Sequence, residues 1–70
     1  MDTLTAFGRN VKIVRTKRGY TQEALATAAQ IDRSYLGEIE RGLRNPSLEI
    51  LTKLCRTLDC SLNDLVEVLE

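Results

Sequence analysis

The chain has 70 residues, enough for one small domain, and a chain of that length buries only about 60% of the surface its unfolded form exposes. Ten Lys and Arg balance ten Asp and Glu, histidine is absent, and aromatic residues are only 4% of the total. No apolar stretch approaches the ~18 residues a membrane span needs, and with no basic-then-apolar leader the expected location is cytoplasmic.

Ala and Leu are plentiful, proline occurs once and no run resembles a strand, so the expected fold class is all-α, a compact five-helix bundle spanning residues 1–70. The first helix is predicted from about Thr3 to Arg18, with Leu4, Phe7, Val11 and Val14 recurring at helical spacing as its inward stripe. Gly19 ends it, with Lys17 and Arg18 in the favourable last turn.

The organising stretch is Thr21 to Arg41, TQEALATAAQIDRSYLGEIER. It reads as two short helices pivoting about Ala28-Ala29-Gln30-Ile31. The first is capped by Thr21 and carries Gln22 and Glu23 in its positive first turn. The second is capped by Asp32 and stopped by Gly42. Leu25, Ala26, Ala29, Ile31, Leu36 and Ile39 form one shared buried face. Arg33, Ser34, Gly37 and Glu38 point elsewhere, which leaves the start of the second helix free to touch a partner.

Pro46 and Ser47 mark the entry to a helix over Leu48–Leu58, whose stripe is Leu48, Leu51, Leu54, Cys55 and Leu58. Ser61 caps the last helix, residues 61–69, and Asp64 three residues on resembles a capping box. This helix holds Leu62, Leu65, Val66, Val68 and Leu69, more apolar surface than its length can turn inward. That surface packs on helix one or forms an interface. The pattern as a whole favours a symmetric homodimer through Leu62, Leu65, Val66 and Leu69 and the end of helix four.

Zero net charge conceals an asymmetry. From Arg9 to Leu48, Arg9, Lys12, Arg15, Lys17, Arg18, Arg33, Arg41 and Arg44 outnumber the acidic Glu23, Asp32, Glu38 and Glu40. Beyond Leu48 the balance is acidic. On charge alone this is either the electrostatic footprint of a nucleic-acid binder or two ordinary solvated faces; for a binder, a low total leaves more of the affinity to base contacts.

The motif stretch, its Leu25-Ala26, the Ile39-Glu40-Arg41-Gly42 ending and the following Arg44-Asn45-Pro46-Ser47 together resemble the helix-turn-helix of the Cro/CI-type (XRE-like) bacterial and phage regulators. The resemblance covers roughly residues 7 to 66. Asp32-Arg33-Ser34-Tyr35-Leu36 is also similar to the controller proteins of restriction–modification systems, and to other small stand-alone regulators.

The resemblance implies a lambda-repressor-like fold and sequence-specific binding of double-stranded DNA by a homodimer on a near-palindromic operator. It sets Arg15 opposite Glu40 as an ion pair orienting the motif, and Tyr20 as a plug at the junction. With the second helix in the major groove, the residues facing base edges are Arg33, Ser34, Gly37 and Glu38. Arg33 matches guanine O6 and N7, and Glu38 can accept from cytosine N4. Tyr35 reaches a thymine methyl or a phosphate, or packs. The bland alternative is a solvated Arg33–Glu38 pair. Gln22, Arg41, Arg44 and Asn45 flank the helix as phosphate contacts. The family commonly has glycine where this chain has Gln30, so the turn is strained by about 1 kcal/mol or remodelled.

Cys55 and Cys60 stand where the family pattern is small and apolar, and read as core, with a redox pair as the alternative. Their spacing lacks the four ligands of a zinc site. No metal, cofactor, small-molecule ligand or enzymatic activity is expected. The rival functional class is an antitoxin that binds a toxin partner as well as its own promoter.

Overall fold

Five helices make up the described residues, 2–67, of the computed structural model: α1 Thr3–Lys17, α2 Gln22–Ala29, α3 Arg33–Glu40, α4 Leu48–Leu58 and α5 Leu62–Val66. Among these residues no strand forms. Every helix starts at a short polar side chain that accepts from a backbone N–H of its own first turn: Asp2, Thr21, Asp32, Ser47 and Ser61. At α5 the box is reciprocal. Asp64 N donates to Ser61 Oγ at 3.2 Å, and Ser61 N donates to Asp64 Oδ2 at 3.0 Å.

The first four helices end alike. After each, one residue turns left-handed and the next two amides fold back on the final carbonyls, as in Gly42 N to Ile39 O at 3.0 Å and Leu43 N to Glu38 O at 2.9 Å. Gly19 and Gly42 take that conformation without strain. Gln30 (φ 57°) and Asp59 (φ 52°) take it with a side chain present. The turn at Gln30 is therefore left-handed and not remodelled.

α1 packs on α3 and α5, while α2 packs on α3 and α4. Val11, Leu25, Leu36, Ile39, Leu54, Leu58 and Leu65 are fully enclosed, with Phe7, Ala26, Ala29 and Ile31 completing the core. Leu48, expected on the buried stripe of α4, is instead 75% exposed, because it is the first residue of α4. Leu54 and Leu58 do the core work of this helix.

α5 is shorter than the sequence suggests. Glu67 is extended (φ −69°, ψ 127°), and the side-chain amide of Asn10 takes the carbonyls of Leu65 at 3.0 Å and Glu67 at 2.8 Å. Those carbonyls are satisfied from α1 rather than by another helical turn. Arg18 serves α4 in the same manner, donating to Leu58 O at 2.7 Å and Asp59 O at 3.0 Å. Leu69 lies outside the described residues.

The tightest approach is at Gly8, a glycine in the middle of α1 where alanine would make the better helix. A β-carbon there would collide with the carbonyl oxygen of Ile39 and stand 2.8 Å from that of Glu40. The backbone of α1 thus lies directly against the end of α3.

Two outcomes follow for thermal or urea unfolding. Gly8→Ala forces two helices apart and should lower stability by about 2 kcal/mol or more, at the upper end of overpacking effects or beyond. Gln30→Gly relieves a left-handed side-chain position and should raise stability by up to about 1 kcal/mol; a lower melting temperature would contradict the strain.

Candidate nucleic-acid interface

α3 is too short to be stable alone and is held by burial of one face and by its two ends. Leu36 and Ile39 are completely enclosed. Asp32 accepts from Tyr35 N at 3.0 Å, and the left-handed Gly42 closes the far end. The helix therefore has little freedom to roll, and its outward residues have fixed positions.

At its C-terminal end lies the best-organised polar network of the molecule. Arg15 Nε donates to Glu40 Oε2 at 2.6 Å and a terminal nitrogen donates to Oε1 at 3.2 Å, a bidentate pair. The third donor of Arg15 reaches the carbonyl of Tyr20 at 2.8 Å. Gln22 Nε2 adds a further bond to Glu40 Oε1 at 3.0 Å. Helices α1, α2 and α3 meet on one carboxylate whose side chain is only 3% exposed, and Arg15 ties the α1–α2 junction to the same network. Tyr20 is half-buried against the core beside this network.

The network changes what Gln22 can do. Its side-chain amide is already donating to Glu40, so an anion at the start of α2 would meet the backbone N–H groups of that turn. Arg41 and Asn45 are both exposed. Arg33 and Ser34 are exposed in the first turn of α3, and no described residue forms an ion pair with Arg33. Arg33 and Glu38 do not pair with each other in this structure.

Glu38 has a different partner. Its Oε1 accepts from Arg44 Nε at 3.0 Å, across the turn that ends α3. The guanidinium of Arg44 also lies 5.7 Å from the centroid of the half-buried Tyr35 ring, within cation–π range. Two residues expected to act separately, one on a base and one on a phosphate, are joined. Nothing in residue spacing signals this, because the turn reverses the chain between them.

Gly37 is not open to solvent, contrary to the outward position expected for it. Its backbone is covered by the side chains of Gln22 and Arg41, yet a β-carbon there would sit at an ordinary 3.8 Å from both. With Arg33, Ser34 and Glu38 these residues line one shallow polar cleft. Internal packing does not demand glycine at position 37.

Of the residues expected at a dimer contact, Leu62 and Val66 are 44% and 43% exposed. Leu65 is not available: it is fully enclosed in the protomer core between α5 and α1. Leu62 instead borders an apolar groove with Leu48, Leu51 and Cys55. Both cysteines are free and partly buried. Burial first, and then the neighbouring Cys55, push the Cys60 thiol up to about 11, which favours its protonated form at neutral pH.

Comparison with known proteins bears on this geometry. A family profile described as helix-turn-helix matches residues 11–65. The crystal structure of the restriction–modification controller protein C.AhdI from Aeromonas hydrophila superposes with a TM-score of 0.85 at 44% identity, covering 89% of this chain and 94% of that one. The DNA-bound structure of the biofilm master regulator SinR gives 0.83 at 39% identity, over 87% and 98%. The Bacillus subtilis transcriptional regulator SlrR is 38% identical over 61 residues, which are 86% of this chain but only 40% of SlrR.

The network at Glu40 makes a direct stability test possible. Arg15→Ala leaves an enclosed carboxylate with Gln22 as its remaining side-chain partner. The expected loss is at least about 2 kcal/mol, approaching the roughly 3–5 kcal/mol of a fully buried pair. Arg9→Ala, on an exposed position of the same helix, should change stability by no more than about 0.5 kcal/mol. Chemical denaturation of the two variants side by side measures the difference.

Proposed function

The chain belongs to the helix-turn-helix transcription regulators of XRE (Cro/CI) type, a non-enzymatic family of DNA-binding proteins, and on that premise we propose that it reads a specific duplex sequence through α3 as a homodimer. The observation that carries this reading is Arg33. It stands exposed in the first turn of a helix whose opposite face is fully buried, without an ion-pair partner among the described residues. A guanidinium so presented matches the two acceptors of guanine in the major groove. Ser34 beside it can serve a base or a phosphate.

Backbone contacts come from the flanks. The N–H groups at the start of α2, Arg41 beside the cleft and Asn45 after α3 fix register without reading sequence. Gly37 has a motive in this setting. Glycine in a helix costs about 1 kcal/mol relative to alanine, and the free protein has room for a methyl group there. A small residue at the base of the cleft lined by Arg33, Ser34 and Arg41 leaves that cleft open for a base edge, which accounts for keeping it small.

Exposed Leu62 and Val66, with Leu48 nearby on the rim of the α4–α5 groove, supply apolar surface for a second copy. Two-fold pairing would put two α3 helices in successive major grooves, with near-palindromic half-sites about one helical turn apart. Similarity to the restriction–modification controller protein C.AhdI supports a regulator of controller type.

The DNA upstream of the protein's own gene, searched for inverted repeats and titrated in gel shifts at several salt concentrations, tests the reading. Arg33→Ala should relax preference at one base pair of each half-site by about 1–3 kcal/mol. Arg41→Ala should weaken all duplexes alike and reduce the salt slope by about 1. A duplex bound equally well by wild type and Arg33→Ala, whatever its sequence, would count against α3 as the reading element.

A further inference from the structure

The Glu38–Arg44 pair fits neither of the roles its members have singly. A carboxylate on a DNA-facing surface repels phosphates, and an arginine that only clamps a phosphate needs no partner on the protein. Here Glu38 Oε1 holds Arg44 at 3.0 Å, and the ring of Tyr35 lies 5.7 Å from the centre of the same guanidinium.

The atom that Glu38 holds is Nε, and no described residue engages either terminal nitrogen of Arg44. The guanidinium is thus fixed along one edge by α3 and approached by an aromatic ring, while the end bearing both amino groups is left free. That end carries the two donors that pair with guanine O6 and N7. Burial points the same way. The Glu38 side chain is 32% exposed and that of Arg44 is 53% exposed, so the better-enclosed group steadies the more open one.

We propose that Arg44 is a second base-reading guanidinium beside Arg33, and that Glu38 is a positioning residue that sets its pose rather than a base contact of its own. The assignment rests on the DNA-reading role of α3. A long side chain held in its working pose loses less rotamer freedom when a duplex arrives. The charge of Glu38 is neutralised by the residue it holds, which removes the objection to a carboxylate near phosphates.

Selection from a random duplex library, using the full chain as wild type, E38Q, R44Q, the double variant and R33A, tests this, with thermal melts run alongside. R44Q is expected to lose about 5- to 150-fold of the preference at one base pair of the half-site. E38Q should lose preference at that same base pair by a smaller factor, and should add nothing once Arg44 is replaced. R33A should act at a different base pair. All variants should melt within a few degrees of wild type, because neither side chain is enclosed.

A uniform loss of binding in R44Q with an unchanged preference profile would overturn the proposal and return Arg44 to the phosphate backbone. Tighter but equally selective binding by E38Q would overturn it too, since that is the signature of a merely repulsive charge. A wild-type protein that enriches no sequence would remove the DNA-reading role itself. A wild-type motif that responds to R33A but not to R44Q removes this inference alone.

Discussion

At the crossing of α1 and α3 the carbonyl groups of Ile39 and Glu40 occupy the space that any side chain at position 8 would need. Seven residues further along α1, Arg15 grips the carboxylate of Glu40 with two hydrogen bonds. One contact sets how close the helices come and the other sets how far they slide. A cation beside the negative end of α3 also suits the helix dipole. Gly42 extends the same seam, since a β-carbon there would stand 2.9 Å from Thr5. The direction in which α3 points is therefore a property of α1, although α1 contributes little to the surface α3 presents.

α1 does more than brace α3. Its Asn10 satisfies the last carbonyls of α5, and its Arg18 satisfies those of α4. Three helices are thereby tied to one, by side-chain bonds spanning 25 to 57 residues of sequence. For a domain this small, with a core of few large side chains, such ties matter because every carbonyl left without a partner would subtract from a narrow margin of stability. The surface proposed for a second copy and the surface proposed for a duplex lie on elements joined through the same strut.

Much of this was legible in the residues. Caps at Thr21, Asp32, Ser47 and Ser61, the stop at Gly42 and the buried face of Leu25, Ala26, Leu36 and Ile39 are local or periodic features that a sequence displays directly. What escaped reading depends on distant segments meeting. The part played by Gly8 emerges only where α1 meets α3, although a mid-helix glycine in a good helix-forming stretch is itself a hint of close backbone approach. Leu65 looked equivalent to Leu62 and Val66, and only the pose of α5 on α1 separates one from the others. The bond between Glu38 and Arg44 depends on a reversal of the chain, and the early end of α5 depends on an asparagine 55 residues away from the carbonyl it takes.

The exposed residues of the first turn of α3 carry a consequence for how such a molecule changes over generations. Among the described residues Arg33 and Ser34 make no side-chain hydrogen bond or ion pair, whereas Gly8, Arg15 and Glu40 hold α3 against α1. On the proposed reading by α3, a duplicated gene can accordingly drift at the former pair and acquire a new target without passing through a misfolded ancestor. The same separation makes the fold a reusable chassis, in which vocabulary is rewritten while grammar is kept.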